Sequence, residues 1–97
     1  MEKTVYISAP ITGRTKYVIK SVFLCAEKEL AKFGYNTINP TKLCNEKMTI
    51  GECMGTDIKE LVDNADAVYF CRGWEKSKGC LLEFAAAKIY GKEIMFE

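Results

Sequence analysis

Polar and apolar positions alternate at the start of the chain. Around Val5, Tyr6 and Ile7 the run is rich in β-branched and aromatic residues, which predicts a first strand over residues 3–8. Pro10 and Gly13 break it and predict a loop. The period then changes. Val18, Ile19, Val22, Phe23, Ala26 and Leu30 recur at helical spacing, so a first helix is expected from Lys16 to Phe33, with Gly34 as its stop. "YNTIN" (residues 35–39) reads as a second strand ended by Pro40, and residues 40–48 as a polar loop. Thr49 and Glu52 have the spacing of a capping box, and Ile50, Met54, Ile58, Leu61 and Val62 give the helix behind it an apolar stripe. "DAVYFCRG" (66–73) is a continuous run suited to a strand covered on both faces. "WEKSK" is a loop. A third helix runs from Gly79 to Tyr90, Gly91 ends it, and "KEIMFE" (92–97) is the fourth strand.

This β-α-β-α-β-α-β alternation predicts one α/β domain over residues 1–97, a compact Rossmann-like or flavodoxin-like three-layer sandwich. Right-handed crossovers favour a four-stranded parallel sheet in the order 2-1-3-4. In such sheets ligands bind beyond the carboxyl ends of the strands, where the strand order reverses. That point lies between strands one and three, so "SAPITGRT" and "RGWEKSKG" should meet there. Ser77 reads as the N-cap of the third helix. Free N–H groups at that start favour an anion, with Arg14, Lys16, Lys76 and Lys78 as nearby cations. An ordinary capped helix is the competing reading.

The balance of charge narrows the function. Fourteen basic against thirteen acidic residues give a net charge of +1, which argues against a nucleic-acid partner or a membrane-surface role. No apolar run approaches the roughly 20 residues that span a bilayer. The N-terminus lacks a signal-peptide core, so a cytoplasmic location is expected. Five cysteines, none spaced as CxxC, argue against a disulfide framework. No histidine occurs, so a Ser-His-Asp or Cys-His catalyst is excluded and a typical zinc site is not expected. No metal or cofactor is expected. Acid–base chemistry falls to carboxylates, Lys, Tyr or Cys. The first loop lacks a dense Ser/Thr/Gly cradle, which argues against a redox flavin role.

One residue conflicts with the pattern. Glu83 sits among Leu81, Leu82, Phe84 and three alanines, and faces either water or a ligand. Gly79, four residues earlier, lies on the same helix face and leaves space for a sugar ring above the carboxylate. Trp74 either stacks on a base or anchors its loop.

"YISAPITG", "NADAVYF" and "GWEKSKGCLLEFAAAKIYGKEI" together resemble the nucleoside 2-deoxyribosyltransferase superfamily, above all its small, often phage or bacterial members. The similarity covers nearly the whole chain, and the string from Ser77 through Gly79 and Glu83 to Gly91-Lys92 is its most specific part. It implies cleavage of the N-glycosidic bond of a 2′-deoxynucleoside or its monophosphate, by hydrolysis or base exchange. Glu83 would be the nucleophile, Asp57 would contact sugar and leaving base, and Tyr6 would orient the nucleophile. Pro10, Ile11, Thr12, Gly13, Arg14, Trp74, Ser77 and Gly79 would line the substrate. Where relatives acting on free nucleosides carry an aspartate, this chain has Ser77, which would tolerate a phosphate. A nucleoside 5′-monophosphate is therefore the expected small-molecule partner. Non-catalytic binding of a nucleotide or nucleotide signal is the alternative. A homo-oligomer is expected from the resemblance. Because the sequence ends at Glu97, directly after the fourth strand, a neighbour's C-terminal contribution to the site is not expected.

Overall fold

The computed structural model describes residues 2–97. In β1 (Thr4–Ser8) the period of two sends alternate side chains to opposite faces of the sheet. Val5, Ile7 and Ala9 join one core cluster with Phe23, Ala26 and Leu30 of helix α1 (Lys16–Ala31). Tyr6 joins a second cluster with Leu61 of α2 (Ile50–Asn64) and with Ala86 and Ala87 of α3 (Lys78–Ile89). The sheet therefore has α1 on one face and α2 and α3 on the other. This is the three-layer sandwich that the alternation of elements predicts.

β2 (Asn36–Ile38), β3 (Ala67–Phe70) and β4 (Glu93–Phe96) complete a parallel sheet in the order β2-β1-β3-β4. Ser8 stands opposite Phe70, and Phe70 opposite Phe96, so the carboxyl ends of β1, β3 and β4 lie level. Among the described residues no helix is long and apolar enough to cross a membrane.

Local chemistry sets the boundaries. Thr15 caps α1 by accepting from the Val18 N–H at 3.2 Å. The helix ends at Ala31, two residues before the expected Phe33, because Phe33 and Gly34 donate to Leu30 and Ala31 in tighter i→i−3 bonds. Gly34 then takes φ +81°, the left-handed turn that glycine enters without steric cost. The Thr49/Glu52 capping box is present in both directions, at 3.0 and 3.1 Å. Ser77 caps α3, which begins at Lys78, one residue before the expected start. β3 is shorter than the expected 66–73. Cys71 makes one more sheet bond, to the Ser8 carbonyl at 2.9 Å, and Gly73 then turns left-handed at φ +89°. The two expected loops each contain a single 3₁₀ turn, Pro40–Lys42 and Trp74–Lys76.

Asp66 is structural, since its carboxylate accepts the Thr4 N–H at 2.9 Å. Glu60 and Asp63 serve the outer side of α2, bonding Asn64 at 2.9 Å and Lys59 at 3.0 Å. Phe23 and Phe70 are buried, and Tyr69 packs half-buried against the α1-side cluster.

Candidate active site

Two acidic residues occupy positions where the fold calls for hydrocarbon. On α2, Met54, Asp57, Ile58 and Leu61 share the inward stripe. On α3, Cys80, Glu83 and Ala87 do the same. Glu83 is only 5 % exposed and Asp57 only 8 %. Both carboxylates are thus drawn off water by the helices that carry them.

β1 supplies the polar partners. Tyr6 and Ser8, two residues apart, project from the same face of the strand and are both fully buried. The Tyr6 hydroxyl donates to Glu83 Oε2, and the Ser8 hydroxyl donates to Oε1 at 2.7 Å. Each carboxylate oxygen therefore holds one strong donor, which fixes the rotamer of the side chain. On Asp57, Oδ1 accepts from the Cys44 thiol at 3.6 Å. Among the described residues no buried side-chain nitrogen or oxygen lacks a partner.

Burial governs the ionisation of this group. Loss of water lifts Glu83 from an ordinary 4.5 to about 7, against the opposing pull of the Tyr6 and Ser8 hydrogen bonds, and the Asp57 charge adds to the rise. Burial lifts Asp57 from 3.8 to about 6, with the Cys44 thiol pulling the other way. Tyr6 is pushed up by burial and by the neighbouring Glu83 charge, so it stays a donor throughout the physiological range. Cys44 is pushed up to about 12, first by burial and then by its neighbour Cys53 and the Asp57 charge. It is a neutral thiol donor, not a nucleophile. Between about pH 6 and pH 7 the two carboxyl groups together carry one proton. An arrangement of this kind can present a carboxylate and a carboxylic acid to one substrate.

The two loops predicted to meet at the switch point do meet. A side chain on Gly73 would stand 3.3 Å from an Arg14 guanidinium nitrogen and 3.4 Å from Pro10. The contact is backbone on side chain, and it needs glycine both for space and for its positive φ. Ile11, Thr12 and Gly13 are exposed in the first loop. Ser77 caps α3 through the Cys80 N–H at 3.3 Å.

Three expected roles take a different shape. The space beside Gly79 is bordered by the Met54 thioether, 3.7 Å from where a Cβ would stand, so an alanine there would make ordinary contacts. Trp74 is an anchor. Its ring stacks on Phe84 at 4.8 Å and lies 5.2 Å from Phe70. Arg14 lines a cleft of about 600 Å³ against α1, across the sheet from Glu83. A second cleft, of about 430 Å³, also lies against α1, and neither is lined by Glu83 or Asp57.

Two members of the site were not anticipated. The alternation of β1 carries a signal that could have found Ser8, since a residue two positions from Tyr6 shares its face of the strand. Cys44 comes from an irregular segment whose path no local pattern specifies.

Residues 3–96 match the family described as a domain of unknown function, DUF4406. The chain belongs to the DUF4406 family. No curated protein matches it. In this DUF4406 domain the matched region takes in every strand and helix and all five site residues, Tyr6, Ser8, Cys44, Asp57 and Glu83.

Proposed function

We propose that this DUF4406 domain cleaves the N-glycosidic bond of a 2′-deoxynucleoside 5′-monophosphate, with Glu83 as nucleophile. The observation that carries the reading is the Glu83 carboxylate itself. It is buried, held at both oxygens by Tyr6 and Ser8, and placed near a second buried carboxylate, with Ser8 at the carboxyl end of β1.

The chemistry follows from those groups. Ionised Glu83 attacks C1′ while the C1′–N bond breaks, and the bonding electrons leave with the base. The transition state has oxocarbenium character, so an adjacent fixed carboxylate stabilises it. The sugar lacks a 2′-hydroxyl, which eases the development of positive charge. Glu83 titrates above Asp57, so among the forms with one shared proton the reactive one, with Glu83 ionised and the proton on Asp57, is the minor form. From it Asp57 gives its proton to the departing base. Water, giving a proton to the now ionised Asp57, or a second base then attacks C1′ of the glycosyl-enzyme, and the bond to Glu83 breaks to restore its carboxylate. Tyr6 and Ser8 hold the nucleophile without consuming it, since each carboxylate oxygen keeps a lone pair. The phosphate falls to the start of α3, where the N–H groups of Lys78 and Gly79 precede the first intrahelical bonds.

A homo-oligomer is part of the proposal. Leu81, Leu82 and Ile89 of α3 are exposed on its outer side, which suits a second copy of the chain. The expected compartment is the cytoplasm, where thiols stay reduced, in keeping with five free cysteines.

Non-catalytic binding is the second reading, favoured by how closely both carboxylates are covered. One experiment separates the two. Purified protein is incubated with each of the four deoxynucleoside 5′-monophosphates, and free base is measured by chromatography beside Glu83→Ala. Release by wild type alone supports cleavage. Binding with no release supports the second reading, and equal release by both proteins removes Glu83 from the mechanism.

A further inference from the structure

The chain has two arginines among fourteen basic residues, Arg14 and Arg72, fifty-eight positions apart. Both line the same cleft of about 600 Å³. It opens on the α1 face, where Arg72 follows β3 and Glu97 follows β4, both at the carboxyl ends of the strands. Its volume falls within the range of small-molecule sites. Val22, Ala26 and Tyr69 give it an apolar wall, and all three belong to the α1-side cluster, separate from the cluster that holds Tyr6.

Charge in the cleft is unevenly satisfied. Glu97 accepts the backbone N–H of Arg72 at 2.8 Å, and Glu29 pairs with Lys32 at 3.4 Å. Among the described residues neither arginine forms an ion pair, although both of those carboxylates line the same cleft. Arginine presents a planar fork of donors suited to bidentate recognition of oxyanions. One fork saturates the two oxygens of a carboxylate. A phosphate monoester has three terminal oxygens and can engage two forks at once. Tyr69 offers a ring edge or face to a flat body attached to such a group.

We propose that this cleft is a second binding site, for a small aromatic phosphate monoester, held by Arg14 and Arg72 with its ring against Tyr69. The site stands apart from Glu83 and does not rest on glycosidic cleavage. Its occupant would be an effector or a second reactant, not the bond being broken.

The test is a titration of isotope-labelled protein with phenyl phosphate, followed by amide shifts, with phenol and benzoate as controls. Saturable shifts are expected in residues 21–26 and 69–72, with benzoate and phenol each weaker by about tenfold or more. Arg72→Gln, at an exposed position, is expected to weaken phenyl phosphate by about tenfold or more. Ser21→Tyr, which fills the cleft from α1, is expected to abolish the shifts. Ser77→Asp, at the start of α3, is expected to leave them unchanged. Shifts confined to residues 77–80, equal affinity in Arg72→Gln, no preference over benzoate, or no saturation at millimolar ligand would each overturn the proposal.

Discussion

Glu83→Gln isolates the consequence of burying a carboxyl group. In the folded protein the group titrates near 7, against an ordinary 4.5. Below about pH 4.5 both folded and unfolded chains hold its proton, and the group has no pH-dependent effect. Between 4.5 and 7 the folded chain keeps a proton that the unfolded chain has released. Stability therefore falls as pH rises through that window, and levels off above about 7. At 1.36 kcal/mol per tenfold shift in affinity for the proton, the loss is about 3 kcal/mol. Glutamine cannot ionise, so the variant escapes this loss. Fixed costs of the amide, such as a reoriented Ser8 or Tyr6 hydroxyl, are the same at every pH and cancel in the difference. Urea unfolding of both proteins from pH 4 to pH 8.5 gives that difference directly. The variant should gain on wild type by about 3 kcal/mol across the window, which for a domain of this length is roughly 10–20 °C in melting temperature. A difference that stays flat with pH would refute the reasoning, because it would mean that the Glu83 carboxyl reaches water.

The second carboxylate gives a kinetic counterpart. With one proton shared between about pH 6 and pH 7, kcat/KM for base release should be bell-shaped and centred in that interval. Asp57→Asn should lower kcat by about 10²–10⁴-fold and flatten the alkaline limb, and a pH–rate profile that keeps both limbs would remove Asp57 as the acid. Gly73→Ala imposes a left-handed backbone on a residue with a Cβ and crowds Arg14 and Pro10. It should cost about 1–3 kcal/mol in chemical denaturation, and a neutral result would contradict the described turn. Trp74→Ala removes the ring stacked on Phe84 and should cost about 2–3 kcal/mol, whereas loss of ligand affinity at unchanged stability would assign the ring to the substrate. Thr49→Ala should cost about 1 kcal/mol through the capping box, read from the urea midpoint.

Elements governed by local chemistry were legible in the chain. The Thr49/Glu52 box, the Ser77 cap and the change of period from two to helical spacing each depend on neighbours within a few residues, and the strand order follows from crossover handedness. Glu83 stood out because an acid interrupts an otherwise apolar helix, and Asp57 occupies the corresponding place on the stripe of α2. What brings them to Tyr6 and Ser8 is tertiary. The separations of 77 and 75 residues between β1 and Glu83 carry no periodic trace. Cys44 depends on the path of an irregular loop, and the cleft holding Arg14 and Arg72 depends on the packing of α1 against β3. Trp74 was ambiguous in sequence because an aromatic ring suits a base and a hydrophobic cluster equally. The ring packs against Phe70, Phe84 and Phe96, which is the contact the anchor alternative calls for.

The most direct test of the central claim looks for the bond that Glu83 would form. Wild type mixed with a deoxynucleoside 5′-monophosphate at about pH 6.5, quenched in acid within the first turnovers and digested, should yield the peptide containing Glu83 with the added mass of a deoxyribose phosphate. Fragmentation should place that mass on Glu83, and the Glu83→Gln protein should show none. Base release without any sugar on Glu83, or the same adduct on another side chain, would contradict the account.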